Sequence, residues 1–114
     1  MHQGQARSLV RTRSSGYCEI AIMDVCTQLT NSLHHRRKPG RVWEPANLLA
    51  ACGSGTTGCH GWVESHPKDA HELGLWIFNG DGVPSHVPVR LRTIKFGYVW
   101  VLLCNDGTFV RVDQ

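Results

Sequence analysis

The stretch from His34 to Glu64 reads HHRRKPGRVWEPANLLAACGSGTTGCHGWVE. Two adjacent histidines open it, Asn47 lies near its middle, and His60 follows directly after a cysteine. Glu64 lies four residues beyond His60, so a helix would place both side chains on one face, one turn apart. A single metal ion needs ligands arranged in this way. The stretch therefore predicts a metal site around which the rest of the fold is built.

The adjacent histidines predict two different roles. Neighbouring side chains on a strand point to opposite faces, so only one of the pair can face a helix packed on that strand. We expect His34 to face the helix and to bind the metal jointly with His60 and Glu64. His35 would face the other way, where a neutral imidazole can take a proton from water. Asn47 could hydrogen-bond the backbone or imidazole of His35, and surface histidines without a function are the alternative.

Cysteines before residue 60 fall into two pairs. The first pair brackets seven residues and the second brackets six, wider than the two to four residues that are usual for zinc ligands. The second pair encloses the glycine-rich segment CGSGTTGC, whose backbone can wrap tightly around one ion. We expect one structural Zn²⁺, and the alternative is a set of buried cysteines acting as small hydrophobic residues. The predicted ligands are Cys18, Cys26, Cys52 and Cys59.

Basic residues follow the paired histidines closely. The net charge is only +3, but much of the positive charge is concentrated in this one segment. A basic cluster beside a metal site suits the phosphate backbone of a nucleic acid, although a solvated arginine-rich loop is the alternative. The predicted DNA-binding residues are Arg36, Arg37, Lys38 and Arg41.

The chain of 114 residues is long enough for one domain with a modest core. We expect an α+β fold in three parts. Residues 1–16 are polar and basic and predict a flexible arm. Residues 17–74 would form the core that carries the motifs, and residues 75–114, which read as alternating strands and turns, would form a β-rich extension packed on it. The Asn105–Gly107 segment is a hairpin signal.

Composition favours a soluble protein in a reducing compartment. No apolar run approaches the roughly twenty residues that span a membrane, and residues 1–16 lack the apolar core of a signal peptide. We therefore expect a cytoplasmic location and no membrane partner. In that compartment cysteines serve as metal ligands more often than as disulfides.

Motif order resembles the HNH nucleases, and more narrowly the small HNH endonucleases of phages and prophages. The family's first motif often contains HHR, its second ANLL and its third GCH, and this chain has HHRR, ANLL and CGSGTTGCH in that order. The resemblance covers residues 17–74, which would then be the HNH nuclease core. It implies a ββα-metal (His-Me finger) fold, in which a β-hairpin and a helix hold one divalent ion, with a zinc knuckle beside it.

The resemblance also implies roles for individual residues. His34, His60 and Glu64 match the metal ligands, His35 matches the general base, and Asn47 matches the middle asparagine. Glu64 departs from the usual His or Asn and should favour a hard cation such as Mg²⁺ or Mn²⁺, with Ni²⁺ as a further candidate. The implied reaction is hydrolysis of a DNA phosphodiester to 5′-phosphate and 3′-hydroxyl ends.

The resemblance also suggests a partner, and the residues leave two alternative functions open. Phage enzymes of this type often act with terminase subunits during DNA packaging, so terminase is a candidate partner in the host cytoplasm. A zinc-stabilised nucleic-acid-binding module without catalysis would share the cysteines and the basic segment. A β-rich interaction domain, based on residues 75–112 alone, is a third interpretation.

Overall fold

Short helices and antiparallel strands follow one another along the chain, which confirms the α+β class. The computed structural model describes residues 1–113. The helices are α1 (Gln3–Ser14), α2 (Gly58–Ser65) and α3 (Pro67–Glu72). The strands are β1 (Ser32–His35), β2 (Leu48–Ala51), β3 (Val89–Thr93), β4 (Gly97–Leu103) and β5 (Phe109–Arg111). Short 3₁₀ turns cover Pro45–Asn47 and Pro84–His86.

Strands β1 and β2 form an antiparallel hairpin that lies between two layers. In its register His34 is opposite Leu49 and His35 is opposite Leu48. All of β2 is buried, because Leu49 faces the cysteines and α2 whereas Leu48 faces α1. A strand covered on both faces is expected to be continuously apolar, as the sequence LLAA is.

Helix α1 takes the place of the flexible arm predicted for residues 1–16. Its buried side chains, Ala6, Val10 and Ser14, recur every four residues, and the two apolar ones pack against Leu48 and Ala50 of β2. This stripe is narrow and small, so the polar composition of the segment concealed it. The arm prediction is therefore wrong for Gln3–Ser14, which is an ordered layer of the fold.

An ion pair fixes the end of α1. The Arg13 guanidinium donates to both carboxylate oxygens of Glu19 at 2.8 Å, and both side chains are almost completely buried. Arg13 also donates to the carbonyl oxygens of Pro45 and Leu48. Arg13 is therefore a structural residue that joins α1 to the hairpin and not a free contact for DNA phosphate.

Strands β3, β4 and β5 form an antiparallel sheet in that order. The turn at 105–107 joins β4 to β5, so the hairpin predicted there is confirmed. Val89, Leu91, Val101 and Leu103 belong to the same core cluster as the cysteines and Leu49. The sheet and the segment that carries the motifs thus share one core.

The segment that joins α3 to β3 is irregular. Residues 75–78, which read as strand-like, form no strand; their backbone instead contacts β1 and the residue after it. Gly74 ends the α3 region with a φ of +75°, and a Cβ there would lie 2.0 Å from the Pro88 carbonyl oxygen. Only glycine fits this position, which ends the helical region. Within residues 1–113, no helix is both long and apolar enough to cross a membrane.

Candidate metal centres

The predicted cysteines meet at one point. Their sulfur atoms all lie within 4.8 Å of one another. Zn–S bonds of about 2.3 Å in a tetrahedron put the sulfurs about 3.8 Å apart, so this arrangement could hold a zinc ion after small adjustments. All are free thiols. The members of this four-cysteine cluster are Cys18, Cys26, Cys52 and Cys59.

Wide spacing within each cysteine pair has a structural explanation. The residues between Cys18 and Cys26 include Ile22 and Val25, which fold back and pack on the core. In the second pair, a Cβ on Gly53 would lie 2.2 Å from the Thr57 carbonyl oxygen, and Gly53 has a φ of +78°. The extra residues therefore provide core packing in the first loop and a tight reversal in the second.

Backbone amides surround the sulfurs with hydrogen-bond donors. Such donors stabilise a thiolate, the form that binds a metal. The amides are those of Ile22 to Cys59 (3.3 Å), Thr27 to Cys52 (3.4 Å), Gln28 to Cys26 (3.4 Å) and Cys59 to Cys52 (3.2 Å).

A shared proton links two thiols of the cluster. The hydrogen bond with Cys59 lowers the pKa of Cys18 to about 5, against the opposing effect of burial. The same hydrogen bond, together with burial, raises the pKa of Cys59 above its usual value. A bound cation would displace that proton, as metal binding to thiols does in general. Cys104 is half-buried and lies outside the cluster.

The second convergent group is the predicted trio. Ligand atoms of His34, His60 and Glu64 lie within 4.8 Å of one another. Glu64 Oε1 is 3.7 Å from His34 Nδ1 and 3.5 Å from His60 Nε2. Strand β1 supplies the first residue and α2 the other two, so strand alternation and helix periodicity bring them together.

Hydrogen bonds fix the imidazole tautomers of the trio. His34 Nε2 donates to the Leu75 carbonyl oxygen at 2.6 Å, which leaves a lone pair on Nδ1. Ser32 Oγ donates to the Gly53 carbonyl oxygen, so it accepts from His60 Nδ1 at 2.8 Å and leaves the lone pair on Nε2. Both lone pairs are thus free to bind a cation. No local sequence pattern indicates these roles for Leu75 and Ser32.

An unsatisfied atom indicates where a ligand would fit. His34 is completely buried, and its Nδ1 finds no hydrogen-bond partner among residues 1–113. Burial lowers the pKa of His34, so the ring is neutral near pH 7. A buried acceptor without a donor is unfavourable, and a cation at this atom would satisfy it. The residues of the trio therefore fit a divalent metal ion.

Lys38 completes the charge balance of the trio. Its Nζ donates to Glu64 Oε1, the oxygen that faces both imidazoles, and lies 5.4 Å from the centre of the Trp76 ring. The nearby His34 side chain, followed by the Lys38 ion pair, lowers the pKa of Glu64 to about 2. Glu64 is therefore ionised, and the ammonium group provides positive charge that a metal ion would otherwise supply.

His35 faces a cleft that reaches His60 of the trio. The cleft has a volume of about 380 Å³ and is lined by Leu33, His35, Lys38, Arg41 and His60. The His35 ring packs edge-on against Trp43, with 4.7 Å between ring centres, and its Nε2 has no hydrogen-bond partner in the part of the chain described. Burial, then the charges of Arg41 and Lys38, lowers the pKa of His35 to about 4. The ring is thus neutral and can accept a proton.

Asn47 does not bond to His35, which corrects that expectation. Its Oδ1 accepts from the Arg37 amide at 2.9 Å, and its Nδ2 donates to the carbonyl oxygens of Val42 and Arg37. Asn47 is completely buried at the start of β2. It therefore holds the loop that leaves β1 just after His35, and any effect on the imidazole is indirect.

Arg36 is a second correction, because it is completely buried and cannot reach DNA. Strand alternation points it to the same side as His34, into the interior. Its guanidinium donates to the carbonyl oxygens of Gly74, Ala46, Pro84 and Val87. Burial lowers its pKa to about 9. Of the predicted basic cluster, Arg37 and Lys38 are half-buried and Arg41 is exposed.

Comparisons of this chain with protein-family models, with curated protein sequences and with solved structures found no match. Neither a relative nor a structural neighbour therefore supplies a function. Function is therefore inferred from the geometry of the two groups that could hold a metal ion and of the cleft between His35 and His60.

Proposed function

We propose that this protein is a metal-dependent DNA endonuclease of the HNH type, with a ββα-metal core and a structural zinc in the four-cysteine cluster. The observation that carries the proposal is the convergence of His34, His60 and Glu64, in which the buried His34 Nδ1 lacks a hydrogen-bond partner among residues 1–113. The neutral His35 lies next to this trio in the chain. Hydrolysis of a phosphodiester requires a metal ion that stabilises negative charge and a general base that activates water. The trio could hold the metal ion, and His35 could be the base.

His34 Nδ1, His60 Nε2 and a Glu64 oxygen would hold one divalent ion. When bound, that ion would supply Lewis-acid stabilisation of the charge that develops on the phosphate and on the leaving oxygen. Two imidazoles and a carboxylate suit Mn²⁺ or Ni²⁺, and the carboxylate also suits Mg²⁺. Lys38 would have to share Glu64 with the ion or turn towards a phosphate.

His35 would act as the general base. A nitrogen of its ring would take a proton from a water molecule, whose oxygen then bonds to phosphorus while the P–O3′ bond breaks. The 3′ oxygen takes a proton from solvent, so the products end in 5′-phosphate and 3′-hydroxyl. Trp43 holds the His35 ring, and Asn47 holds the loop that follows. Arg41, Lys38 and Arg37 would bind the flanking phosphates without reading the base sequence.

Phage or prophage origin, action with terminase subunits and a place in the host cytoplasm belong to the same proposal. They follow from the resemblance of the motifs HHRR, ANLL and CGSGTTGCH. A pull-down of the full-length protein with terminase subunits would test the partner separately from the chemistry.

A supercoiled-plasmid assay tests the activity directly. The zinc-loaded protein is incubated with Mg²⁺, Mn²⁺ or Ni²⁺, and with no added divalent ion as the control. We expect nicked or linear product only where a divalent ion is added. If supercoiled plasmid and circular single-stranded DNA both stay intact under every condition, with protein that retains zinc and its fold, the endonuclease is ruled out.

A non-catalytic, zinc-stabilised nucleic-acid-binding module is the second candidate. The ion pair between Lys38 and Glu64 favours it, because that ammonium group balances the carboxylate without a metal. In this case the protein would bind DNA but release no product, and elemental analysis after Mn²⁺ addition would detect zinc alone.

A further inference from the structure

A groove of about 390 Å³ lies between α1 and the segment 30–33. Its apolar floor is formed by Leu33, which is half-buried, above the fully buried Val10 and Ala50, and hydroxyl and amide side chains line the rest. Arg7 and Arg11 are exposed along it, and none of its described lining residues is acidic. Its volume falls at the small end of the range of about 300–1,000 Å³ for ligand sites. A small, planar, anionic ligand matches this combination.

The groove continues from the cleft that contains His35. Leu33 lines both depressions. A second link runs through Trp43, since the Arg7 guanidinium lies 5.0 Å above the Trp43 ring and that ring packs against His35. A chain bound across His35 and His60 would therefore lie next to the groove.

We propose that the groove is a subsite for one unpaired nucleotide of single-stranded DNA, next to the phosphate in the cleft. Arg11 and Arg7 bind its phosphate, and the floor of Val10, Leu33 and Ala50 receives the base. A base within a duplex is stacked and paired, so it cannot enter; the preferred substrate is single-stranded DNA. This inference rests on the proposed function, because it assumes that the bound DNA strand has its neighbouring phosphate in the cleft beside His35.

The arginines point to a nucleic acid more than to a neutral ligand. Neither Arg7 nor Arg11 carries an ion pair within residues 1–113; the Arg7 guanidinium lies over the Trp43 ring and donates to the neutral Gln3 side-chain amide. An unneutralised cation beside a phosphodiester site adds affinity that decreases with salt. The apolar floor adds affinity only for a ligand that exposes a base. The protein should therefore bind single-stranded DNA more tightly than duplex DNA.

Fluorescence anisotropy of the full-length zinc-loaded protein, without added divalent ion, tests the subsite. The probes are a labelled oligothymidine, an abasic oligonucleotide of equal length and a blunt duplex. We expect oligothymidine to bind at least about fivefold more tightly than the other two, which corresponds to burial of about 40 Å² of apolar surface at about 25 cal/mol per Å². Equal binding of the abasic probe, or preference for the duplex, would overturn the proposal.

Two variants separate charge from base binding. Arg11→Glu should weaken oligothymidine binding about tenfold and reduce its salt dependence, whereas the matched reversal Lys68→Glu on α3 should change it less than about twofold. Ser8→Tyr fills the groove and should remove the preference for oligothymidine without weakening the abasic probe. Equal effects of Arg11→Glu and Lys68→Glu, or an unchanged preference in Ser8→Tyr, would contradict the subsite.

The outcome can be distinguished from that of the endonuclease proposal, because the binding assay requires no cleavage. If the oligothymidine preference is found but no metal supports cleavage, the endonuclease is wrong and the groove assignment stands. If plasmid is cleaved but Ser8→Tyr binds every probe as the unmodified protein does, the groove assignment is wrong and the endonuclease stands.

Discussion

His34 Nδ1 and Glu64 Oε1 lie 3.7 Å apart, although one belongs to strand β1 and the other to helix α2. Glu64 is ionised, and the imidazole is neutral with its lone pair towards that carboxylate. Two acceptors face each other here, and Lys38 supplies the positive charge near them. A divalent cation would bring both acceptors and His60 into one coordination shell.

Glu64→Gln should weaken Mn²⁺ binding at the trio by about tenfold or more, because a charged ligand is replaced by a neutral amide. Isothermal titration of the zinc-loaded protein with Mn²⁺ measures this. Glu72→Gln on the exposed side of α3 is the matched control and should bind Mn²⁺ as the unmodified protein does. Equal affinity of both variants would remove Glu64 from the metal site.

His35→Ala should slow plasmid cleavage by about 10²–10⁴-fold, the usual effect of losing a general base. His86→Ala, at an exposed histidine outside the cleft, should cleave at the normal rate. Thermal unfolding of both variants shows whether the fold is retained. A folded His35→Ala protein that cleaves at the normal rate would assign the base elsewhere.

Cys52→Ser should lower the zinc content from one ion per chain to almost none and destabilise the fold strongly, since structural zinc can contribute on the order of 10 kcal/mol. Elemental analysis by mass spectrometry measures the content. Cys104→Ser lies outside the cluster and should keep one zinc. The cluster would be only a packing feature if unmodified protein contained no zinc when purified without chelators.

Arg36→Lys should destabilise the protein by about 2 kcal/mol or more, because an ammonium cannot satisfy every carbonyl oxygen that the guanidinium reaches. Arg37→Lys, where the side chain makes a single 3.4 Å bond to the Phe78 carbonyl, should cost less than about 1 kcal/mol. Urea unfolding measures both. A stable Arg36→Lys protein with weakened DNA binding would instead restore Arg36 as a phosphate contact.

Arg13→Ala should destabilise the protein by about 3–5 kcal/mol, because it leaves the buried Glu19 carboxylate unpaired. Arg11→Ala is the control and should change stability by less than about 0.5 kcal/mol, as exposed substitutions do. Hydrogen exchange should show faster exchange of the α1 amides in Arg13→Ala. If α1 exchanges rapidly even in the unmodified protein, it is the flexible arm after all.

Local periodicity explains what could be predicted from the sequence. The separation of His34 from His35 follows from strand alternation, and the pairing of His60 with Glu64 follows from the helical repeat. The glycines between Cys52 and Cys59 indicated a tight loop that offers both sulfurs to one point. These features depend on a few neighbouring residues, so the chain itself specifies them.

Partners that are distant in sequence explain what could not be predicted. The carbonyl oxygens that receive Arg36 lie up to 51 residues away, and no local pattern announces them. The buried stripe of helix α1 consists only of Ala6, Val10 and Ser14. Such a short stripe can be recognised as a core face only when β2 is known to pack against it. The sequence indicates that Asn47 lies at the β1–β2 hairpin. Its hydrogen bonds to Arg37 and Val42 depend on the path of the loop between the two strands.

Metal binding by His34, His60 and Glu64 is tested most directly by anomalous diffraction. A crystal of the zinc-loaded protein is soaked in Mn²⁺, and data are collected near the manganese edge. We expect a manganese peak between His34 Nδ1, His60 Nε2 and the Glu64 carboxylate, separate from the zinc in the four-cysteine cluster. A crystal with zinc at the cysteines and no manganese at the trio, with Lys38 still bound to Glu64, would contradict it.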